Sequence, residues 1–378
     1  MNILFRKYTI ILLAPFIVQC SSNDQHEPTQ SFGELPVIEY QTLHLIGEDE
    51  NYTPGMLSRI YQLADGSWVV SDHGSTTIEH FTAEGKHLST VAILGEGPGE
   101  VRPFFFFHQF SDSIVVARQQ MSNRLDYYKL NHQGELKPTR TKSMDQGSFA
   151  WSDLLPKPPD ELIAIEQKNW FADNLNYDAD NEYYQASVMT LDFNLKVIDD
   201  SLTTLNLPNP RIFRSSQGGI SVFSVPFRSQ DRILALNNGS YWIARGLDQR
   251  FELYNKEHLL TGSFDLFVEP RPVYREDKEF ELGRIQGERR SDLESRIPST
   301  KPLFFNAWAN IDHILLQTDE SDNGREYVLI ENSGSFLGRF TLPNSKRVQF
   351  IDSSNLVVLS SDPEKGHSIE LIKLNLQP

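Results

Sequence analysis

Six apolar runs in this chain end on polar residues, and those end residues are where chemistry could be placed. They are Asp72 with His73, Arg118, Glu166, Arg245, Thr318 with Asp319, and Ser360 with Ser361. Arg118 and Arg245 carry fixed charge on planar forks, which suits two-point contact with a carboxylate or sulfate. Trp170, Tyr183 and the run Phe104 to Phe106 offer rings that can lie against a sugar or a planar ligand. Taken together, Asp72, His73, Arg118, Glu166, Trp170, Arg245 and Asp319 outline a binding site rather than a reaction centre. For the two arginines a salt bridge to a neighbouring Asp72 or Glu166, holding loops in place, is the competing reading.

Catalytic signatures are missing. The sequence has no HExxH, CxxC or GxSxG, and its ten histidines are scattered without the close spacing of metal ligands. Two acidic strings approach a calcium loop, Asp178 to Glu182 and Asp319 to Gly324. The first lacks the glycine at loop position six, and the second has Ile330 where a bidentate glutamate should stand, so both read as solvated turns. No catalytic residue and no cofactor is therefore expected. The alternative is a metal-dependent hydrolase or lyase for a small ester or sugar, with a single divalent cation on a central axis. Its ligands would be gathered from several repeats, with Glu166, Asp72, Asp319 and His73 as candidates.

The positioning elements are legible from the runs themselves. They read WVVSD from Trp68, IVVAR from Ile114, LIAIE from Leu162, YWIAR from Tyr241, ILLQT from Ile314 and LVVLS from Leu356. Each follows turn chemistry, such as Asp65-Gly66 or Asn238-Gly239, as a hairpin requires. A strand with one wet face alternates apolar and polar residues, whereas Ile114 to Ala117 must be covered on both sides. Successive runs start 46, 48, 79, 73 and 42 residues apart. The short gaps fit one four-stranded propeller blade of ~40–50 residues, and the long ones need insertions. The expected fold is all-β, a six-bladed β-propeller of four-stranded antiparallel blades, occupying residues 34–378 as one domain. From Val37 to Ile46 the apolar residues read as a strand without a hairpin partner, suited to completing the last blade.

Composition bounds the partners. The net charge of -16 repels nucleic acid and anionic lipid surfaces as a whole, although a local basic patch is compatible with it. Hydrophobic residues at 39% supply a sizeable core, so disorder is not expected.

Residues 1–19 place Arg6 and Lys7 before the apolar stretch Tyr8 to Val18, the form of an export signal too short to span a membrane. Cys20 follows, the one cysteine of the chain, and resembles a bacterial lipoprotein processing site, except that Gln19 stands where a small residue is usual. An ordinary signal peptide with a leftover cysteine is the alternative. The polar stretch 20–33 reads as a flexible tether. The expected location is the bacterial cell envelope, facing periplasm or cell surface, with membrane contact through a lipid on Cys20 only, and the expected state is a monomer.

One string marks a family. Gly95-Glu96-Gly97-Pro98-Gly99-Glu100 follows a repeat reading DGSWVVSD and IEHFTAEGKHLSTV and precedes Phe104 to Phe107. This resembles the six-bladed β-propeller lipoproteins of Bacteroidota and their relatives, themselves similar to NHL-repeat propellers. The resemblance implies an architecture and a location but no catalytic residues. Locally, Gly95, Gly97, Pro98 and Gly99 suit a tight turn, with Glu100 accepting backbone hydrogen bonds. The string lacks the Gly-Lys-Ser/Thr ending and the helix of a phosphate loop.

Antiparallel strands alternate direction, so the loop from second to third strand and the connection between blades emerge at the same end of the ring. The polar residues ending the runs and the GEGPGE string share that end. So do the expected insertions, Asn169 to Tyr184, Pro208 to Arg228 and Glu269 to Pro302. Within the last, Arg275 to Arg296 reads as a charged helix covering the rim. Long loops on one end of a rigid scaffold are where binding is expected, of a peptide, glycan or partner protein, with shielding of the channel as the alternative.

Overall fold

A computed structural model of the chain describes residues 30–47, 51–103, 105–119, 124–143, 151–157, 161–166, 181–214, 219–352, 355–364 and 366–376. The expectations for Cys20, Phe104 and Trp170 lie outside these residues.

Each apolar run is the second strand of a four-stranded antiparallel sheet, and there are six such sheets among the described residues. Blade 1 comprises Leu57–Gln62, Trp68–Asp72, Thr77–Phe81 and His87–Ala92. Blade 2 comprises Phe105–Ser111, Ile114–Gln119, Arg124–Leu130 and Leu136–Ser143. Blade 3 comprises Trp151–Lys157, Glu161–Glu166, Tyr183–Asp192 and Val197–Pro208. Blade 4 comprises Arg232–Ala235, Tyr241–Arg245, Arg250–Tyr254 and Leu260–Asp265. Blade 5 comprises Asn306–Ala309, His313–Ser321, Gly324–Glu331 and Phe336–Leu342. Blade 6 takes Lys346–Asp352, Asn355–Asp362 and Gly366–Leu374 from the end of the chain and Tyr40–Ile46 from its beginning.

The unbroken apolar runs are explained by where successive side chains go. Val69 packs with Val115 and Ala117 of blade 2, while its neighbour Val70 packs with Val357 of blade 6. Period-two alternation is still present, but both faces meet another sheet, so neither carries polar residues.

Closure differs in detail from the expectation. The closing strand starts at Tyr40, opposite Leu374, rather than at Val37. Val37 instead forms a parallel bridge to Arg339 on the fourth strand of blade 5, with the Ile38 amide donating to the Arg339 carbonyl at 2.7 Å. The end of the expected tether packs on the fold: Gln30 bridges Val268, and Phe32 is 2% exposed among Leu234, Phe251 and Phe304 between blades 4 and 5. The segment 30–38 thus straps the edge of blades 4 and 5 before becoming the edge of blade 6.

The rim insertion is two helices, not one. Helix α1 is Arg275–Leu282 and helix α2 is Glu288–Ser295, separated at Gly287, whose φ of 67° no helix interior accepts. They pack against a hairpin, Arg211–Arg214 with Ile220–Phe223, that belongs to the connection between blades 3 and 4. Leu282, Leu293 and Val225 form the shared apolar centre, and Arg211 holds Asp292 through Nε at 2.9 Å and Nη2 at 3.2 Å. Among the described residues no helix is long and apolar enough to cross a membrane.

Burial of Phe32 makes the strap part of the folded unit. Phe32→Ala should lower the unfolding free energy by about 3–5 kcal/mol in urea titration. A loss below about 1 kcal/mol would show that the segment does not belong to the core.

Candidate functional site

The end of the ring that carries the second-to-third-strand loops is assembled largely by buried acids. Asp72 is 0% exposed, and its carboxylate accepts from the Tyr52 hydroxyl (2.9 Å) and from the amides of Gly55 (2.7 Å), Met56 (2.8 Å) and Gly74 (2.9 Å). Burial alone would raise its pKa, but these donors outweigh it and hold the carboxyl below its usual range. The carboxylate therefore stitches the loop after the second strand to the connection that enters blade 1. His73, next in sequence, lies half-buried against Phe105 at 5.0 Å between ring centroids, and burial lowers its pKa against the pull of Asp72.

Blade 4 uses the same device with the partners exchanged. Arg245 donates to Asp231 (3.1 Å), to Glu252 (3.2 Å) and to the Thr204 carbonyl of blade 3 (2.7 Å). Burial would depress its guanidinium, yet the two carboxylates raise it. Its charge is neutralised within the fold by Asp231 and Glu252, and not by the Asp72 or Glu166 that the salt-bridge reading named. Asp319 is likewise taken up, by Lys301 at 2.8 Å, which also reaches Asp277 of α1 at 2.8 Å. Arg118 lies 4.4 Å over the ring of Phe106, and Glu166 is exposed at the end of its strand. Of the aromatic candidates, Phe105 is a core residue between blades 1 and 2, whereas Phe106 is exposed on the innermost strand of blade 2. Tyr183 is half-buried in blade 3.

The GEGPGE turn is locked from blade 2. The Gly97 amide donates to Glu100 at 2.6 Å, and a side chain on Gly95 would collide with that carboxylate. Arg124 reaches the Glu100 carbonyl at 2.7 Å and Asp126 at 2.8 Å, and Gln119 ties Asp126 to the same carbonyl. Glycine is required at position 99, where φ is 78° and Pro138 stands behind the backbone.

With these groups committed to the loops, the side chains left facing the axis are others. A pocket of about 320 Å³ at the same end is lined by Arg59, Asn306, Gln317, Arg325, Arg347 and Gln349, over Trp308 and Tyr327. Blades 1, 5 and 6 supply them from the beginnings of their first strands and the adjoining parts of the second and third. Arg325 is engaged by Glu320 at 2.7 Å and by the Asn344 carbonyl at 2.7 Å. Arg59 and Arg347 are exposed, and their side chains make no hydrogen bond or ion pair among the described residues. Apart from Gln317, inside the run ILLQT, none of these pocket residues stops an apolar run, which is why run endings pointed elsewhere. The available signal was a guanidinium in the first half of an innermost strand, a position that sits beside the axis in any blade.

His108 lies deeper on blade 2, 7% exposed, with Nε2 unpartnered among the described residues. Burial, then the charges of Arg118 and Arg59, push its pKa down to about 3. Among the described residues no three His, Cys, Asp or Glu side chains come together as a metal site, and Glu166, Asp72, Asp319 and His73 form no such group.

No family model and no curated protein matches the chain. Solved structures match its fold. A protein of inferred export from Bacteroides fragilis NCTC 9343 superposes with a TM-score of 0.53 at 12% identity, over 90% of this chain and 96% of that one. Virginiamycin B lyase from Staphylococcus aureus gives 0.43 at 11% identity, over 89% and 99% of the two chains. The PQQ-bound aldose sugar dehydrogenase of Streptomyces coelicolor gives 0.45 at 10% identity, over 90% and 100%. The first likeness is one of fold alone, and the other two are too distant to carry an argument.

The depressed histidine makes stability depend on pH. The folded protein keeps His108 neutral down to about pH 3, whereas the unfolded chain takes up that proton below about pH 6.5. Its contribution is therefore complete above about pH 6.5 and is lost as the pH falls toward the folded value. His108→Gln should flatten the stability profile between about pH 6.5 and 4, read as denaturation midpoints. Parallel profiles for both proteins would contradict the assignment.

Proposed function

We propose that this protein is an exported binding module that holds an oxyanion-bearing ligand, a carboxylate or sulfate of a peptide or glycan, at the axial mouth of its loop-rich end. The observation that carries this reading is the pair Arg59 and Arg347, exposed beside one pocket without acid partners in a chain of net charge -16. Asp72, Asp126, Arg245, Asp319 and Arg325 on this end are taken up within the fold, so guanidiniums left open on the axis are available to a ligand. Low-dielectric walls around an axial mouth focus such a field and draw in anions despite the overall charge. Asn306, Gln317 and Gln349 add neutral donors and acceptors, as sites that orient a polar ligand do. The volume suits one sugar or amino-acid unit, with the remainder of a chain outside on the rim.

Export is supported by the basic start, the apolar stretch and Cys20, which also support a lipid anchor in the cell envelope. Cys20→Ser should move the protein from the membrane fraction to the soluble one, and continued membrane retention would refute the anchor.

Binding is tested by titrating acidic and neutral oligosaccharides and peptides into the protein by calorimetry. Acidic members should bind, more weakly at high salt, and Arg59→Ala with Arg347→Ala should reduce affinity by roughly tenfold or more at an unchanged melting temperature. Equal affinity in the double variant would place the ligand elsewhere.

A further inference from the structure

The two insertions that cover the rim enclose a second cleft, of about 550 Å³, lined by Phe213, Arg214, Phe223, Arg284, Ile285 and Arg289. It belongs to the hairpin between blades 3 and 4 and to the α1–α2 turn, and shares no residue with the axial pocket.

Its charges are arranged unlike those around it. Three acids of the helical insertion are taken by other bases: Asp277 by Lys301, Glu279 by Arg290, and Asp292 by Arg211 and Arg296. The side chains of Arg214, Arg284 and Arg289 make no hydrogen bond or ion pair among the described residues. Arg214 and Arg284 are exposed. Arg289 is half-buried, held over the rings of Phe213 at 6.0 Å and Phe223 at 5.9 Å, while those rings meet edge to face at 5.6 Å. Stacking fixes a guanidinium by its face and leaves the in-plane N–H donors to others. Three cations gathered round one cleft repel each other, and an anion between them removes that cost. Glu288, also in the lining, is exposed and in no ion pair among the described residues.

We propose that this rim cleft binds a sulfate or phosphate ester group carried on a larger molecule. A carboxylate offers two oxygens in a plane and is satisfied by one fork, whereas a tetrahedral ester presents three oxygens to donors arriving from separate directions. Arg214 from the hairpin, Arg284 from the turn and Arg289 from α2 supply those directions. Phe213, Phe223 and Ile285 provide an apolar floor for the carrier. The inference stands independently of the axial mouth.

The test removes the axial site first, with Arg59→Ala and Arg347→Ala, and titrates that protein at low salt with glucose 6-sulfate, glucose 6-phosphate and glucuronate. At least one ester should bind with one-to-one stoichiometry, and glucuronate should bind roughly tenfold more weakly or not at all. Adding Arg214→Gln and Arg284→Gln should weaken the ester by roughly ten- to a hundredfold without moving the melting temperature, since both side chains are exposed. The stronger of the two esters identifies the source of the group. Absence of binding by both esters, equal binding of glucuronate, or binding unchanged by the two glutamines would each overturn the proposal.

Discussion

Stacked sheets can bury both faces of every strand only if the stack closes on itself, and here closure is the antiparallel pairing of Tyr40–Ile46 with Gly366–Leu374. Without it the outer edge of blade 6 would present unpaired amides and carbonyls to solvent. Packing on either side of that blade depends on the ring being complete. Val357 and Ile369 face blade 1, and Leu356 and Ile372 face blade 5, all fully buried. The strap from Gln30 to Ile38 extends the same constraint backwards, since Phe32, Leu35 and Ile38 seat in the cores on either side of blade 5 before the closing strand begins.

A closed ring fixes where charge can be used. Acids near the strand ends are buried and saturated by backbone donors, as Asp72 is by Gly55, Met56 and Gly74, or by arginines, as Asp231 is by Arg245 and Asp126 by Arg124. These contacts knit each second-strand end to the next connection and keep the loop-rich end rigid. Among the guanidiniums without an acid partner among the described residues are Arg59 and Arg347 at the axial pocket and Arg214, Arg284 and the ring-stacked Arg289 on the rim. In a chain of net charge -16, these guanidiniums without acid partners among the described residues line two cavities, which is the arrangement the proposed anion binding needs.

The architecture was readable because it rests on local pattern. Four apolar residues between a turn and a polar stop can only be a strand covered on both faces, and six of them in series leave few alternatives to a propeller. The site was less readable because pairing is a matter of three dimensions. Asp72 and Arg245 looked alike as polar stops, and nothing local shows that one is consumed by backbone amides and the other by Asp231 and Glu252. Conversely, Arg59 and Arg347 lie in unremarked strands, and their exposure follows from the axis that six blades create together. The single charged helix was misread across Gly287, whose positive φ divides it in two.

Whether unpaired guanidiniums act as anion receptors is tested directly by a crystal structure of the protein equilibrated with selenate, a heavy analogue of sulfate. Anomalous density is predicted at the axial mouth between Arg59 and Arg347. Density there would establish the anion site without reference to any natural ligand. An empty mouth, with both guanidiniums turned onto carboxylates of neighbouring loops, would contradict the account.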